Sequence, residues 1–536
     1  MRENRSGYIK NFLLPCVTLS ALAGVFTAVA VFLFKLAASW VISISGMLYS
    51  CVRSRPWLLP VALLTAILSG ILVWLIVRND SDSRGGGIPT AVAALRGFTS
   101  LNWIKSALIV PLSAMITFLA AVPLGNEGPC VQMGTAIGQG TVSLFGGRKN
   151  QAWRRYIMTG GACAGFSAAT GAPITGILFA VEEAHRRISP MLFMVASISV
   201  VVAQITMEAL GALTGVNVSM FHFRIDGDFP LKYLWIPVIV GAVCGIVAIF
   251  FTKGYRLVRK MLKVKLKKVP LVIKMAGVFA ITAAVGFFSS DSIGSGHDLI
   301  DRLISGEGIW YLLILCFAVR AFMLILANNI GVTGGLFIPT LAFGAIIGAL
   351  CAKVLTFTSL AIDQYEIVVI IGMASFLAAS SRTPITAVVF AAEVLCGFAY
   401  ILPVAVGVAV SYIVIETVGV ESFTDTVIES KIDSSRKDRK PIIFDVYLTV
   451  QPCAFVVEKE IRDILWPPTC VVLGVEKNTH ANTKVGISEG DILHVHYQSF
   501  APHATFEELE RLVGRQSEDV RLKIHTHGEN HQVPEI

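Results

Sequence analysis

Apolar stretches long enough to cross a bilayer recur along this chain, near residues 11–43, 57–77, 105–124, 190–214, 232–252, 270–289, 309–329 and 398–418, with shorter apolar pieces between them. A helix of about 17 to 25 such residues spans the hydrocarbon core. Inside lipid every backbone N–H and C=O must be satisfied within the protein, so runs of this kind fold as helices. With 54% hydrophobic and only 15% charged residues, and a mean hydropathy of +0.71, most of the chain is excluded from an ordinary soluble domain. The reading is an all-α, multi-pass membrane protein.

The basic flank "MRENRSGYIK" ahead of the first run places the N-terminus in the cytoplasm by the positive-inside rule. "ALA" at 21–23 has the form of a signal cleavage site, but the apolar run continues well past signal length and reads as a membrane anchor. Ten cysteines without a CxxC spacing point to neither a zinc site nor a disulfide framework. The formal charge of +8 does not imply nucleic acid, because basic residues gather in connectors such as "KGYRLVRKMLKVKLKKVP" (253–270), read as a cytoplasmic loop near anionic lipid. No nucleotide-binding loop or other cofactor motif is present.

Composition changes after about residue 430. Residues 431–445 fall in a charged linker, "ESKIDSSRKDRKPIIFD", and beyond it "IIFDVYLTV", "TCVVLGV" and "DILHVHYQ" alternate as strands while "TFEELERLVG" reads as a helix. A small α+β domain over 446–515 is expected, followed by a disordered tail over 516–536. An even number of crossings puts this domain in the cytoplasm with the N-terminus.

The membrane part is internally repeated. "GACAGFSAATGAPITGILFAVEE" (161–183) aligns with "GMASFLAASSRTPITAVVFAAEV" (372–394) at a shift of 211 residues, with Pro173/Pro384, Thr175/Thr386, Phe179/Phe390 and Glu182/Glu393 among the identities. Two related halves result, about 10–215 and 230–430. Matched, glycine- and proline-broken hydrophobic segments are the pointer to a transporter whose site lies between its halves. The breaks are "GGGIP" (85–89), "GNEGP" (125–129) and "GGLFIP" (334–339), each opening an apolar helical run. Each can aim a helix N-terminus, carrying about half a positive charge and unpaired N–H groups, at one point near the midplane. Packing by small residues is the alternative for any one of them. Glu127, inside "GNEGP", is an acid at membrane depth and therefore a functional candidate, the alternative being a residue that faces an aqueous loop.

In this order and spacing, "GGGIP", "GNEGP", "GGLFIP" and "APITGILFAVEE" resemble the CLC family of chloride channels and chloride/proton antiporters, over roughly residues 10–430. The resemblance implies a homodimer with one pore per subunit, each built from two inverted halves of tilted, broken helices. It implies an anion site lined by Gly86, Gly87, Ile88, Asn126, Glu127, Gly128, Leu336, Phe337 and Phe423. Glu127 matches the gating glutamate, whose carboxylate competes with the anion near the N–H groups of its own helix start and of Leu336 and Phe337. Glu183 matches the internal proton-transfer glutamate, whereas a plain helix end leaving the membrane toward "AHRR" is the other reading of "EE" at 182–183. Glu182, which repeats as Glu393, suits a structural role.

Two positions depart from the family pattern. Gly86 stands where a serine is usual, and Phe423 where a tyrosine hydroxyl is expected, so both side-chain donors to the central anion are missing. Chloride leads as the anion, with nitrate and fluoride as alternatives; Pro129 argues against the fluoride branch. The implied activity is gradient-driven anion/proton antiport in a prokaryotic inner membrane, not enzymatic catalysis, with a passive channel of the same fold as the alternative.

"EEAHRR" (182–187) also fits the EExxxR pattern of intramembrane proteases. His185, His222 and His297 are the only histidines before residue 430, and none follows a Phe by four residues, which counts against that reading. Residues 459–514 resemble a TrkA-C (RCK C-terminal) domain, which implies a dimeric regulatory unit and a candidate small-molecule ligand. Seven of the ten histidines lie beyond residue 430, from His480 to His531; titration near neutral pH makes this part a candidate pH sensor and "HTHGENH" (525–531) a candidate metal site, while a solvated strand face for His494 and His496 is the simpler account. No metal site is assigned.

Overall fold

The computed structural model describes residues 13–80, 82–147, 151–217, 220–221, 229–357, 365–435, 442–478, 486–499, 502–517 and 520. His222, His480, the tail motif at 525–531 and the centre of the linker lie outside the described residues.

The first half runs α1 (Leu14–Ser54), α2 (Leu59–Val77), α3 (Gly87–Leu95), α4 (Trp103–Leu119), α5 (Glu127–Phe145), α6 (Arg154–Thr170), α7 (Pro173–Phe179) and α8 (Pro190–Thr214). The second runs α9 (Trp235–Lys265), α10 (Leu271–Phe288), α11 (His297–Ile304), α12 (Trp310–Ile330), α13 (Phe337–Phe357), α14 (Tyr365–Ser381), α15 (Pro384–Phe390) and α16 (Ile401–Val418), and α17 (Phe423–Ser435) leads out of it. Among the described residues, eight helices are long and apolar enough to cross a membrane.

Several boundaries differ from the sequence reading. The stretch expected to span at 105–124 is α4, which ends at Leu119 and is too short to be one of those eight helices. The expected linker 431–445 is entered by α17, which runs to Ser435, and by the strand that starts at Ile442. Gln516, expected in a disordered tail, is buried and bonds Thr449. α1 continues to Ser54 rather than ending near 43, and α9 carries the first thirteen of the eighteen residues of the basic run "KGYRLVRKMLKVKLKKVP" as helix to Lys265. Lys and Arg propagate a helix once an apolar segment has nucleated it, so their charge marks the exit from lipid rather than the end of the helix. The apolar run opened by "GGLFIP" is α13, which stands outside the eight stretches expected to span and carries Gly344 and Gly348. It is a full span whose apolar window is 78% buried inside the protein.

Those glycines are points of helix contact. A Cβ on Gly344 would lie 2.5 Å from the carbonyl oxygen of Gly372, and in the first half a Cβ on Gly134 would lie 2.1 Å from that of Gly161. α5 packs on α6, and α13 on α14, through the same close approach. Without a hydrophobic force between helices in lipid, such small-residue contacts and their dispersion energy hold the helices within each half together.

The repeat is clearest where the halves meet. The Glu182 carboxylate accepts from the N–H groups of Ile385 (3.0 Å) and Thr386 (2.6 Å) and from the Thr386 hydroxyl (2.5 Å), at the start of α15. Glu393 does the same at the start of α7, accepting from Ile174 (2.8 Å), Thr175 (2.9 Å) and the Thr175 hydroxyl (2.7 Å). Each half thus caps the other's broken helix, satisfying orphan N–H groups and placing a negative charge at a positive helix end. The structural reading of Glu182 follows from this exchange.

The C-terminal unit is a three-stranded antiparallel sheet, β1 (Ile442–Thr449), β2 (Cys470–Glu476) and β3 (Ile492–Ser499) in the order β1-β3-β2, with α18 (Pro502–Val513) against it. Leu493, Val495 and Tyr497 face its core, while His494 and His496 alternate with them on a half-exposed face opposite Asp445. The segment before β2 docks on the membrane part. Arg155 donates to the carbonyls of Leu465 (3.3 Å) and Trp466 (2.8 Å), Arg187 to that of Ile464 (2.9 Å), and the Tyr156 hydroxyl accepts from Leu465 N–H (2.8 Å).

Candidate functional site

Three glycine-rich breaks, more than 200 residues apart at the extremes, come together in backbone contact. Gly85 N–H donates to the carbonyl of Gly331 (3.1 Å), and Gly125 and Gly335 exchange both of their hydrogen bonds (2.8 and 2.6 Å). A Cβ on Gly87 would fall 1.9 Å from the carbonyl oxygen of Gly128, and one on Gly128 would fall 2.7 Å from the Cα of Gly335. Only glycine allows this approach, and it brings the starts of α3, α5 and α13 to one buried place. Gly87, Ile88, Gly128, Leu336 and Phe337 are all buried there, and Asn126 is half-buried.

Glu127 opens α5 and is 1% exposed. Its carboxylate lies against its own N–H and that of Ile338, one residue beyond the Leu336 and Phe337 N–H groups expected from the sequence. One carboxylate oxygen, Oε2, has no hydrogen-bond partner among the described residues. His297 Nε2 stands 3.9 Å from Oε1, and the ammonium of Lys35, which donates to the Ala169 carbonyl (3.1 Å), contributes positive potential. An acid this deeply buried is stable as an anion only through such donors and nearby charge.

Glu183 lies in a turn of π-helix, Ala180–Ala184, that continues α7, and Ala391–Leu395 repeats this turn after α15. The wider turn re-aims the side chains at the helix end. Glu183 Oε1 accepts from the Thr424 hydroxyl at 3.3 Å. Arg96, at the end of α3, fixes the backbone by donating to the carbonyls of Glu183 (2.8 Å) and Ala184 (2.9 Å), and both Arg96 and Arg186 pair with Asp425. Glu183 therefore adjoins α17 and the path to the C-terminal unit, apart from the contacts that hold Glu127.

Phe423 opens α17, buried, with its ring edge-on to Tyr255 at 4.9 Å. Gly86 precedes α3 in extended conformation, beside Leu336 and Asn328. Lys35, Asn328, Tyr255, Ile338, Thr424 and Arg96 carry site contacts that pattern reading did not single out. For Lys35 a signal exists: a lysine inside the first apolar run is as unexpected there as Glu127 is in its own segment.

A polytopic membrane bundle of two related halves, with three helix starts converging on a buried carboxylate, defines an anion-receptive membrane protein. The chain belongs to the voltage gated chloride channel family, whose model matches residues 66–416. It is 28% identical over 415 residues, covering 73% of this chain and 83% of the relative, to the H(+)/Cl(-) exchange transporter ClcA of Salmonella paratyphi B. The fold is that of a slow cyanobacterial Cl-/H+ antiporter (TM-score 0.72, 24% identity, 79% of this chain and 99% of that one). A CLC-type fluoride/proton antiporter shares it at a TM-score of 0.62 and 18% identity, over 75% of this chain and 95% of that one.

Proposed function

We propose that this protein is an anion/proton antiporter that exchanges chloride, or a related monovalent anion, for protons, with Glu127 as the gate. The observation that carries this is the Glu127 carboxylate against the helix-start N–H groups of Glu127 and Ile338. As an anion it occupies a place an anion would take; once protonated it gains little from those donors and yields the place. Occupancy and protonation are thereby exclusive at one residue. Gly86, Gly87, Ile88, Asn126, Gly128, Leu336, Phe337 and Phe423 line the anion path beside it.

Glu183 carries protons between Glu127 and the side that bears the C-terminal domain. Its presence, and the exchange activity named for the relatives, favour antiport over a passive channel. The protease reading fails on chemistry: both oxygens of Glu182 are committed to the start of α15, and His185 Nε2 is engaged with the Thr159 hydroxyl at 2.8 Å. The working unit is a homodimer in a prokaryotic inner membrane with both termini cytoplasmic. Residues 446–515 form a TrkA-C-like regulatory domain that takes a small-molecule ligand.

The test uses purified protein in liposomes under a chloride gradient, with voltage clamped by a potassium ionophore and external pH recorded. Uphill proton movement is expected, and is lost in Glu127→Gln and in Glu183→Gln. Chloride flux without proton movement in the wild type would refute antiport.

A further inference from the structure

We propose that the side-chain amide of Asn328 donates a hydrogen bond to the transported anion beside Gly86, a role built from two residues outside the glycine-rich breaks. The proposal rests on the reading that Gly86 lines the anion path.

Asn328 lies in the last turn of α12 and is 6% exposed. Its Oδ1 accepts from the Tyr255 hydroxyl at 2.8 Å, which fixes which way the amide faces. The opposite end, Nδ2, is buried and has no hydrogen-bond partner among the described residues. Buried amide donors are almost always satisfied, because an unpaired one forfeits its hydration without return. Nδ2 is aimed at Gly86: a Cβ built there would lie 3.2 Å from it and 3.1 Å from Leu336 Cδ1. The volume a side chain would occupy at position 86 is thus the volume in front of the unpaired donor.

The neighbouring groups in that volume also donate. The N–H groups of Gly87 and Ile88 open α3 beside it. Lys431, from α17, reaches the Arg84 carbonyl at 2.7 Å and passes the Gly85 backbone with its Cε 3.8 Å from a built Cβ. A place ringed by N–H donors and positive potential, with the nearest carboxamide oxygen turned away toward Tyr255, takes an acceptor, and an anion is the acceptor that uses every donor.

The same geometry accounts for both departures from the family pattern. Phe423 brings no hydroxyl, but its ring seats Tyr255 edge-on at 4.9 Å, and Tyr255 spends its own hydroxyl on orienting Asn328. A serine at Gly86 would crowd Nδ2 and Leu336. Gly86 and Asn328 are therefore a matched pair, one vacating the space into which the other donates.

Chloride binding to the purified full-length protein, measured by isothermal titration calorimetry, tests this. Asn328→Leu keeps the volume and removes the donor, and is expected to weaken chloride about tenfold or more, as for a hydrogen bond to a charged group. Asn328→Asp, which presents an oxygen to the anion, weakens it at least as much. Gly86→Ser combined with Asn328→Ala restores part of the affinity by supplying a hydroxyl into vacated space. Binding by Asn328→Leu within twofold of wild type overturns the proposal. A second measurement needs no variant: in wild-type crystals grown in bromide, the anomalous peak beside Gly86 lies within hydrogen-bond reach of Nδ2, and a missing or remote peak also overturns it. Binding is read without proton flux, so a protein that binds chloride through Asn328 yet moves no protons would refute antiport alone.

Discussion

Substituting alanine at Gly87 adds one methyl group where three helix starts touch. Its Cβ would lie 1.9 Å from the carbonyl oxygen of Gly128, 2.1 Å from its carbonyl carbon and 2.7 Å from Pro129 N. All three are backbone atoms, so no rotamer change relieves the contact. Ordinary contact between non-bonded heavy atoms falls at about 3.5 Å, so α3 must move away from α5 by roughly 1.5 Å. Overpacking a close-packed interior costs about 1–3 kcal/mol where side chains absorb it and more where they cannot, so a loss of about 3 kcal/mol or more is expected. The displacement also separates the α3 N–H groups from the Glu127 start, and anion flux should fall at least about tenfold, the effect of about 1.4 kcal/mol at the site. The control is Gly46→Ala in α1, where a Cβ meets nothing within 4 Å. That change should be neutral or stabilise by up to about 1 kcal/mol, since alanine is the better helix former. Thermal melting in detergent and chloride flux from liposomes read both variants. If Gly87→Ala melts and transports like Gly46→Ala, the close convergence of the helix starts is wrong.

Glu182→Ala and Glu393→Ala each remove one carboxylate from the reciprocal caps. Both should destabilise by about 2 kcal/mol or more in thermal melting, and similar losses are expected because the contacts are equivalent. Asp491 is buried, which by itself raises its pKa. The N–H groups of Ser488 (2.8 Å) and Asn478 (3.0 Å) and the Lys477 ammonium (2.9 Å) outweigh burial and hold the carboxyl below its usual range. Since the folded pKa is the lower one, this stabilisation is complete above the unfolded value of about 3.9 and disappears as pH falls through the folded value. Protection factors of the β3 amides, taken relative to intrinsic exchange at each pH, should therefore fall below about pH 4 in the wild type, and Asp491→Asn should remove that acid dependence. Arg155→Ala removes the donors to Leu465 and Trp466 and the 3.5 Å pair with Glu508, so exchange over 461–468 should rise while the α5–α6 core stays protected.

Much of the architecture was legible because it is written locally. Apolar length marked the spans, glycine and proline marked where helices break, and alternation marked β1, β2 and β3 to within a residue or two. The Glu182/Glu393 identity even foretold a structural pair, although the residues each caps lie more than 200 positions away. α13 reads from the sequence as an apolar helical run after "GGLFIP" but not as a span, and that its glycines are the surface on which α14 packs shows only in the folded chain. α9 ran long because a charged helix face and a charged loop share a composition.

The sequence by itself determined a membrane protein of two related halves, the three broken helix starts, the acids Glu127 and Glu183, and a small α+β domain behind them. Each follows from hydropathy, period or a local exception to helix-forming chemistry. Only the tertiary structure decided that the starts of α3, α5 and α13 touch, that Ile338 joins Glu127, and that Tyr255 turns the Asn328 amide toward Gly86. These contacts join residues about 40 to 250 positions apart. No local preference encodes them; they exist because packed helices leave one place where glycine backbones meet and donors are left facing inward.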